Sequence, residues 1–448
     1  MGLTIVHKSD LSVHKRQPKV ALVLAGGAIT GGAYKLGGLK ALDDFLVQRK
    51  TTDFDLYVGL SAGSFLAAPL AGGVTPSEML RALDGTSDVF SHFTPTDFYR
   101  PNLEEFLSKP VEFLLDLLSY APGLVWDFLV QTPQLIHRLE TQVDEARRAP
   151  TFQSLRACIT PLHGAPSSAR SFPFPLAYLP SGMCDNAGLE RYLRRNIERN
   201  HMTNDFRVLQ QTLHRELYIV AMNLDTAERA VFGHDEDTSL TISEAVQAST
   251  ALPGFYKPAR LNGVDYVDGG VRRTANIDVA VEHGADLVIC YNPFRPFTNE
   301  LTRRYNPDSR RYEVVGRPLA DEGLLTVLNQ VFRTLLHSRL QLGIRAYQED
   351  PTFHGDIILI EPEETDRTFF QMAPLSLWAG GTAGAHGYVS VTQCIETHYA
   401  LLKAILRSYG LDMSRRHVEA GLKQMLTDTP VDDGDPSSDR EGPALHVA

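Results

Sequence analysis

The strongest indication of the fold is the stretch at residues 56–68, Leu-Tyr-Val-Gly-Leu-Ser-Ala-Gly-Ser-Phe-Leu-Ala-Ala. It begins with a strand-like run, turns at a serine between two glycines, and continues into an apolar segment typical of a helix. Gly59 and Gly63 permit a tight turn that a side chain at either position would obstruct. The turn raises the Ser61 hydroxyl to the positive end of the following helix, where developing negative charge is stabilised. The pattern therefore predicts a nucleophilic serine, although a G-x-S-x-G spacing also occurs in ordinary turns.

A second strand–helix unit precedes the serine turn. Val20–Leu24 is an uninterrupted apolar run of strand length, and Gly26 and Gly27 follow it closely. From about Ala33 to Val47 the apolar residues recur at helical spacing. Strands that alternate with helices through short connections form a parallel sheet with crossover helices. The sequence therefore predicts an α/β fold with a mostly parallel central sheet and helices on both faces.

Outside this pattern the sequence predicts four further segments. Residues 1–17 are expected to form a loose leader, and residues from about 88 to 205 a helical insertion. A mainly helical extension with one late strand is expected over 296–410, followed by a largely disordered acidic tail, 411–448. The apolar helices of the insertion, at 103–149, either pack on the sheet or another subunit, or form a lid or lipid-facing surface.

Composition and charge limit the classes of function. The chain has 448 residues, 43% of them hydrophobic and 22% charged, which is the balance of a soluble globular protein. Its formal net charge of −11 argues against a nucleic-acid binder, which needs a basic face. Four cysteines without C-x-x-C spacing indicate neither a disulfide framework nor a zinc site. Because no secretory or membrane-spanning pattern is found, we expect a cytoplasmic protein whose membrane contact is at most peripheral.

A hydroxyl nucleophile needs a base to accept its proton, and Asp268 is the candidate. It follows the second strand of a hairpin that Asn262-Gly263 predicts, and Gly269 and Gly270 come directly after it. A carboxylate at a strand end beside flexible glycines is well placed to lean over a cleft. The alternative is that Asp268 caps a turn, since Asp-Gly pairs are frequent in turns.

The glycine-rich loop, residues 26–32, is the candidate oxyanion hole. Ester hydrolysis builds negative charge on the carbonyl oxygen, which backbone N–H groups can stabilise by about 3–4 kcal/mol each. The competing interpretation is a phosphate-binding or dinucleotide-binding loop. Against it, the loop lacks the G-K-[ST] ending of a P-loop, and the second strand leads into the serine turn instead of an acidic residue for a ribose.

Together these segments resemble the patatin-like phospholipase family. The resemblance runs from Val20 to about Pro293, within a catalytic domain expected over 18–295. It is carried by motifs in the family's order: Val23-Leu24-Ala25-Gly26-Gly27, Ala33-Tyr34, Gly37-Gly38-Leu39-Lys40-Ala41-Leu42, Gly59-Leu60-Ser61-Ala62-Gly63, Ala248-Ser249-Thr250-Ala251-Leu252-Pro253, Asp268-Gly269-Gly270 and Gly284-Ala285-Asp286-Leu287-Val288.

The resemblance implies a three-layer α/β fold and a lipid acyl hydrolase with a Ser–Asp dyad. It implies that no histidine, metal or cofactor is required. Ser61 would attack the ester carbonyl, and Asp268 would take its proton. Water activated by Asp268 would then release the fatty acid from the acyl-enzyme. The substrates would be phospholipids or other fatty-acyl esters.

The glycine-rich loop departs from the family's usual G-G-G-x-[R/K]-G. Ala28 stands in place of the third glycine, Thr30 in place of the basic residue, and Gly32 is an additional glycine after Gly31. The oxyanion donors are therefore open within Gly26–Gly32. We also expect no cationic side chain near the site.

Two other functions stay open. An α/β-hydrolase with a Ser–Asp–His triad could use His283 or His386, although only one clear strand precedes the serine turn, where that fold usually has several. A non-catalytic lipid-binding protein that kept the fold and lost turnover would account for the altered glycine-rich loop.

Overall fold

The structure is a computed structural model that describes residues 2–116, 175–306 and 310–427. The chain divides into two compact units. The larger unit comprises Met1–Arg100 and Asn186–Ala448, and the smaller unit is Pro101–Asp185. Among the helices of the described residues, none combines the length and the apolar character needed to cross a bilayer.

The strands are short and lie mostly in the larger unit. In chain order they are β1 (Leu3–His7), β2 (Val20–Leu24), β3 (Leu56–Leu60), β4 (Gly182–Cys184), β5 (Glu216–Asn223), β6 (Arg229–Phe232), β7 (Gly254–Tyr256), β8 (Ala259–Leu261), β9 (Val264–Asp268), β10 (Leu287–Tyr291), β11 (Thr302–Asn306), β12 (Arg311–Val315) and β13 (Asp356–Ile360). Nine of them form one sheet in the order β1-β13-β10-β2-β3-β5-β9-β8, with β6 beside β5. A separate hairpin joins β11 and β12.

The helices vary from a single turn to 26 residues. They are α1 (Ala28–Phe45), α2 (Ala62–Ala71), α3 (Pro76–Asp84), α4 (Pro95–Phe98), α5 (103–116), α6 (Ala187–Arg199), α7 (Phe206–Leu213), α8 (Ile242–Thr250), α9 (Ile277–Glu282), α10 (Leu324–Glu349), α11 (Arg367–Gln371), α12 (Gly380–Thr397), α13 (Tyr399–Ser408) and α14 (Val418–Thr427). Short 3-10 helices lie at Thr51–Asp53, Pro175–Tyr178, Gly269–Val271 and Leu319–Glu322.

The centre of the sheet is parallel, and this confirms the predicted α/β class. Strands β13, β10, β2, β3 and β5 run in one direction, and β1, β6 and β9 pair antiparallel with this group. Four of the five parallel strands are buried along their whole length, which is why they appear in the sequence as continuous apolar runs. Residues such as Val58 and Cys290 pack with α9 and α10 on one face. The next residues along, Gly59 and Tyr291, meet α2 and α1 on the other face.

The segment 296–410 is part of the core of the larger unit and not an extension of it. Strand β13 is inserted between β1 and β10, and α12 packs closely on α1. A Cβ on Gly37 would lie 1.8 Å from the Gly384 carbonyl oxygen, so only glycine allows the two helices to approach this closely. Most of this segment is helical as predicted, but it contains three strands where one was expected, because β11 and β12 form a hairpin in addition to β13.

The prediction of a loose leader over 1–17 is wrong for Leu3–His7, which forms the edge strand β1. Its register pairs Val6 with Ile357 on β13. The buried Asp356 carboxylate anchors the end of this strand by accepting hydrogen bonds from the backbone N–H groups of Lys8 and Ser9, at 2.8 and 3.1 Å. The partner strand lies some 350 positions away, so local patterning could not reveal the pairing.

The other predicted boundaries also change. The smaller unit, Pro101–Asp185, is narrower than the insertion expected over 88–205. Its described part contains α5 and β4. Residues 117–174 lie outside the described residues, and they include most of the apolar helical region expected at 103–149. The tail predicted from residue 411 is helical at Val418–Thr427, and residues 428–448 also lie outside the described part.

Candidate active site

Ser61 alone makes the turn between β3 and α2. Its backbone has φ 53° and ψ −129°, a conformation that costs a non-glycine residue about 1–3 kcal/mol. The flanking glycines leave room for it, because a Cβ on Gly63 would lie 2.0 Å from the Leu24 carbonyl oxygen. A Cβ on Gly59 would lie 2.4 Å from the Ser64 Cα. The turn is thus a strained connection that presents a hydroxyl at the N-terminus of α2.

Hydrogen bonds on both sides of Ser61 hold the strained turn in place. The Ser61 N–H donates to the Ser249 hydroxyl oxygen at 2.8 Å, and that hydroxyl donates to the Val220 carbonyl at 2.7 Å. The Ser61 carbonyl accepts hydrogen bonds from the Ser64 hydroxyl and backbone N–H, at 2.6 and 2.9 Å. No local sequence signal points to these roles of Ser249 and Ser64, since neither can be related to the turn without the fold.

Asp268 is the last residue of β9, and the sheet register brings it to Ser61. Strands β3 and β9 lie on opposite sides of β5, with Leu60 paired to Val220 and Asp268 paired to Ala221. Ser61 and Asp268 therefore leave the sheet at nearly the same level, separated by one strand. The Ser61 hydroxyl lies near the Asp268 carboxylate, close enough to lower the pKa of that carboxyl group.

The Asp268 carboxylate is only 4% exposed, and its environment makes it a stronger base than an ordinary carboxylate. Burial raises the pKa of Asp268 to about 6. Three groups act in the opposite direction and lower this pKa. They are the Ser61 hydroxyl, the Gly270 N–H, which lies 2.8 Å from the Asp268 Oδ1, and the charge of Lys35. A carboxylate with this pKa is mostly ionised at neutral pH and can still accept a proton readily.

The structure narrows the set of backbone donors in the glycine-rich loop. The N–H groups of Ile29 and Thr30 donate to the Pro374 carbonyl at 3.0 and 3.2 Å. Gly31 and Gly32 lie inside α1, which begins at Ala28 and not near Ala33 as predicted. The Gly31 N–H donates to the Gly27 carbonyl at 2.9 Å. These groups are therefore occupied by contacts within the protein.

The remaining loop N–H groups are those of Gly26, Gly27 and Ala28. Within the described residues, no backbone or side-chain acceptor contacts any of the three. Gly26 borders the serine, since a Cβ added to it would lie 3.4 Å from the Ser61 Cβ. Ala28 has φ 52°, a left-handed conformation that glycine adopts without cost. The position where the third glycine is missing is thus a strained one.

The expectation that no cationic side chain lies near the site is wrong. Lys35, two turns along α1, is 0% exposed, and its Nζ donates to the Ala25 carbonyl and to the Gly26 carbonyl, the latter at 3.1 Å. Burial lowers the pKa of Lys35 to about 7, while the negative charge of Asp268 raises it. A lysine within a helical pattern is usually exposed, so no local sequence signal indicates that Lys35 is buried beside the loop.

Neither candidate histidine of the triad alternative meets the serine. The His283 Nδ1 lies 2.7 Å from the Val279 carbonyl oxygen, and the His386 Nε2 lies 2.8 Å from the Asp366 carboxylate. Among the described residues, neither ring has a hydrogen bond or ring contact with Ser61 or Asp268. The geometry therefore favours a dyad over a triad.

An apolar cavity opens beside Ser61. Its lining comes from α1 (Ala28, Ile29, Gly32, Ala33, Leu36), from the turn and α2 (Ser61, Ala62, Phe65, Leu66, Pro69), from α3 (Met79, Ala82, Leu83), from α4 and the loop before it (Phe90, Phe93, Phe98), from α6 (Leu189, Tyr192) and from Thr250, Leu252, Tyr256 and Leu375. Such a lining suits a hydrocarbon chain better than a charged group. In the described part of the chain, no cluster of His, Cys, Asp and Glu is arranged to hold a metal ion.

Comparison with known proteins adds a family match. A family model described as patatin-like phospholipase matches residues 22–281, more than half of the chain. The chain is similar to VipD from Legionella pneumophila, with 16% identity, 89% of this chain and 70% of that chain covered, and a TM-score of 0.34. It is also similar to ExoU of Pseudomonas aeruginosa, in a structure with SpcU, with 16% identity, 95% of this chain and 69% of that chain covered, and a TM-score of 0.23. Human GIVD cytosolic phospholipase A2 is similar with 12% identity, 93% of this chain and 62% of that chain covered, and a TM-score of 0.30. Because these TM-scores are low, the assignment rests on the family model.

Proposed function

The chain belongs to the patatin-like phospholipase family, and from this premise we propose that it hydrolyses fatty-acyl esters of phospholipids or lysophospholipids through a Ser61–Asp268 dyad. The observation that carries the proposal is that sheet register brings the strained Ser61 and the buried Asp268 carboxylate close together at the edge of an apolar cavity. A serine hydroxyl is a weak nucleophile unless a base takes its proton, and Asp268 is that base.

In the first half of the reaction the Ser61 oxygen attacks the ester carbonyl while its proton passes to Asp268. The negative charge that develops on the carbonyl oxygen is stabilised by the N–H groups of Gly26, Gly27 and Ala28, which have no acceptor within the described protein. Asp268 then returns the proton to the leaving alcohol as the ester C–O bond breaks. The product left on Ser61 is an acyl-enzyme.

In the second half a water molecule replaces the alcohol. Asp268 takes a proton from the water, whose oxygen attacks the acyl carbonyl, and the same loop N–H groups stabilise the second oxyanion. Collapse of this intermediate breaks the bond to Ser61, which recovers its proton from Asp268. The fatty acid leaves, and the dyad has its starting protonation again.

The apolar cavity assigns the acyl chain to one side of Ser61. Each methylene that moves from water into such a lining contributes about 0.8 kcal/mol. A chain extending past Ile29 and Leu36 would be in contact with apolar side chains from α1, α2 and α3. We therefore propose long-chain acyl esters as the preferred substrates, with the head group on the opposite side of the serine.

The decisive experiment combines active-site labelling with hydrolysis. The full chain, Ser61→Ala and an exposed control, Ser12→Ala, are treated with a fluorophosphonate probe and assayed on phospholipids, lysophospholipids and p-nitrophenyl esters. We expect labelling and hydrolysis by the wild type and by Ser12→Ala, and neither by Ser61→Ala. Lipid binding by the wild type without labelling or turnover would instead identify a non-catalytic lipid-binding protein.

A further inference from the structure

A buried lysine lies under the glycine-rich loop and, among the described residues, forms no hydrogen bond with Ser61 or Asp268. Lys35 contributes its Nζ to the carbonyls of Ala25 and Gly26, the residues at which the chain passes from β2 into the loop. Within the described residues it forms no salt bridge with a carboxylate. Its side chain reaches back toward the N-terminus of α1, the direction in which helical side chains point.

We propose that Lys35 is a positioning residue of the oxyanion hole: by holding the Ala25 and Gly26 carbonyls, it turns the N–H groups of Gly26 and Gly27 toward the reacting ester. The inference rests on the proposed function, because an oxyanion hole has a role only if Ser61 attacks a carbonyl. In this arrangement a cation from the helix takes the place of the basic loop residue that the sequence lacks.

The planar trans peptide explains how a lysine on one side of the loop directs donors on the other. In such a peptide the C=O and the following N–H point in opposite directions. When the carbonyls of Ala25 and Gly26 point to Lys35, the N–H groups of Gly26 and Gly27 must point away from it. Ser61 borders the loop there, since a Cβ added to Gly26 would lie 3.8 Å from the Ser61 Oγ.

Burying a charged amine at this place costs free energy, so its presence indicates a specific role. Burial removes the ammonium from water, and the nearby N-terminus of α1 carries positive partial charge, so both effects disfavour a cation. A methionine of similar length would fill the same space without these costs. Two carbonyl contacts and the charge of Asp268 are the compensation that the structure provides.

The test compares two substitutions that remove different parts of the interaction. Lys35→Met removes the charge and the donors, whereas Lys35→Gln removes the charge and keeps an amide donor on a side chain one bond shorter. The control is Lys40→Met, on the same helix, which removes the salt bridge to Asp44 at 2.5 Å. The readouts are kcat and KM on a p-nitrophenyl ester, binding of a trifluoromethyl ketone that forms an oxyanion on Ser61, and binding of a fatty alcohol that does not.

We expect Lys35→Met to lower kcat by about 100-fold with little change in KM, since one misdirected donor costs that much. Ketone affinity falls in parallel, while fatty-alcohol affinity and melting temperature do not fall. Lys35→Gln lowers kcat by about tenfold and ketone affinity with it. The acidic limb of the kcat/KM profile also moves to higher pH in both variants, because Lys35 lowers the pKa of Asp268.

The inference is overturned if a folded Lys35→Met matches Lys40→Met in kcat and in ketone affinity. Should Lys35→Met not fold, Lys35→Gln decides in the same way, and equality with Lys40→Met rejects the role. A wild type that is neither labelled by fluorophosphonate nor active on any ester rejects the proposed function itself. The two failures are therefore distinguishable, since the first leaves an active enzyme.

Discussion

The backbone N–H of Ser61 donates to the hydroxyl oxygen of Ser249 at 2.8 Å. Ser249 is fully buried on α8, and its hydroxyl donates a hydrogen bond to the Val220 carbonyl on β5, the strand that separates Ser61 from Asp268. The Ser249 side chain thus connects the strained turn to β5, the strand between Ser61 and Asp268. This hydrogen bond compensates part of the cost of the Ser61 backbone conformation.

Replacing Ser249 by alanine should therefore impair both stability and turnover. The substitution leaves the buried Ser61 N–H without an acceptor, which costs about 1–3 kcal/mol in the free energy of unfolding. We expect kcat to fall as the turn relaxes, with KM little changed. Urea denaturation and ester kinetics measure the two effects, with the exposed Ser239→Ala as control. A Ser249→Ala variant as stable and as active as the control would contradict this role.

The activity should depend on pH through Asp268. The base must be ionised to accept the Ser61 proton, and burial raises the pKa of Asp268 to about 6. We therefore expect kcat/KM to rise with pH through about 6 as Asp268 loses its proton. An acidic limb centred at the ordinary aspartate value would mean that Asp268 is not the base.

The stability of the protein should respond to the same carboxylate. In the folded state the pKa of Asp268 is raised from 3.8 to about 6, so folding favours the protonated form. The contribution of this group to stability is complete below the unfolded pKa and is lost as pH rises through the folded pKa. Asp268→Asn should thus be more stable than wild type at pH values above about 6, with a smaller difference near pH 4. Melting temperatures across this range check it, and a difference independent of pH would disprove it.

Glycine at position 28 should stabilise the protein. Ala28 has φ 52°, and an L-residue with a side chain pays about 1–2 kcal/mol for a left-handed conformation. We expect Ala28→Gly to raise the free energy of unfolding by about 1 kcal/mol. The matched control is Ala404→Gly on the exposed side of α13, which should lower it by about the same amount. If both changes destabilise equally, Ala28 is not strained.

Filling the apolar cavity should shift the preference for acyl chain length. Leu36 lines the cavity one turn further along α1 than Gly32. Gly32 itself lies close to α2, since a Cβ added to it would lie 3.5 Å from the Ala62 Cβ. We expect Leu36→Phe to reduce kcat/KM for palmitoyl esters about tenfold more than for butyryl esters, since only the long chain needs that space. Leu39→Phe, buried on the same helix outside the cavity lining, is the control. Equal losses on both esters would place the acyl chain elsewhere.

Some elements could be predicted because their signals are local. The hairpin at Asn262-Gly263 forms as predicted, with φ of 50° and 81° at the two turn residues, values for which Asn and Gly are suited. The serine turn likewise depends on Gly59 and Gly63, which stand two positions before and after Ser61 in the sequence. In both cases the residues that permit the conformation lie within two positions of the turn.

Other elements could not be predicted because their partners are remote in the chain. The pairing of β1 with β13 joins Leu3 to Ile360, and the Ile29 N–H donates to the carbonyl of Pro374. The second contact occupies one of the candidate donors of the glycine-rich loop, a change that no property of the loop itself indicates. Lys35 appeared to be an ordinary helix residue until the position of the Ala25 and Gly26 carbonyls was known.

Local patterning is enough to identify the kinds of element and the chemistry that they could carry, because backbone preferences and hydrophobic spacing act over a few residues. Those preferences account for the parallel strands, the strained serine turn and the candidate carboxylate. Which groups meet depends on the assembled fold. Sheet register brings Asp268 level with Ser61, and the burial of Lys35 beneath the loop follows from helix packing. Distance, burial and electric field depend on residues far apart in the chain, so they arise only when the whole fold is assembled.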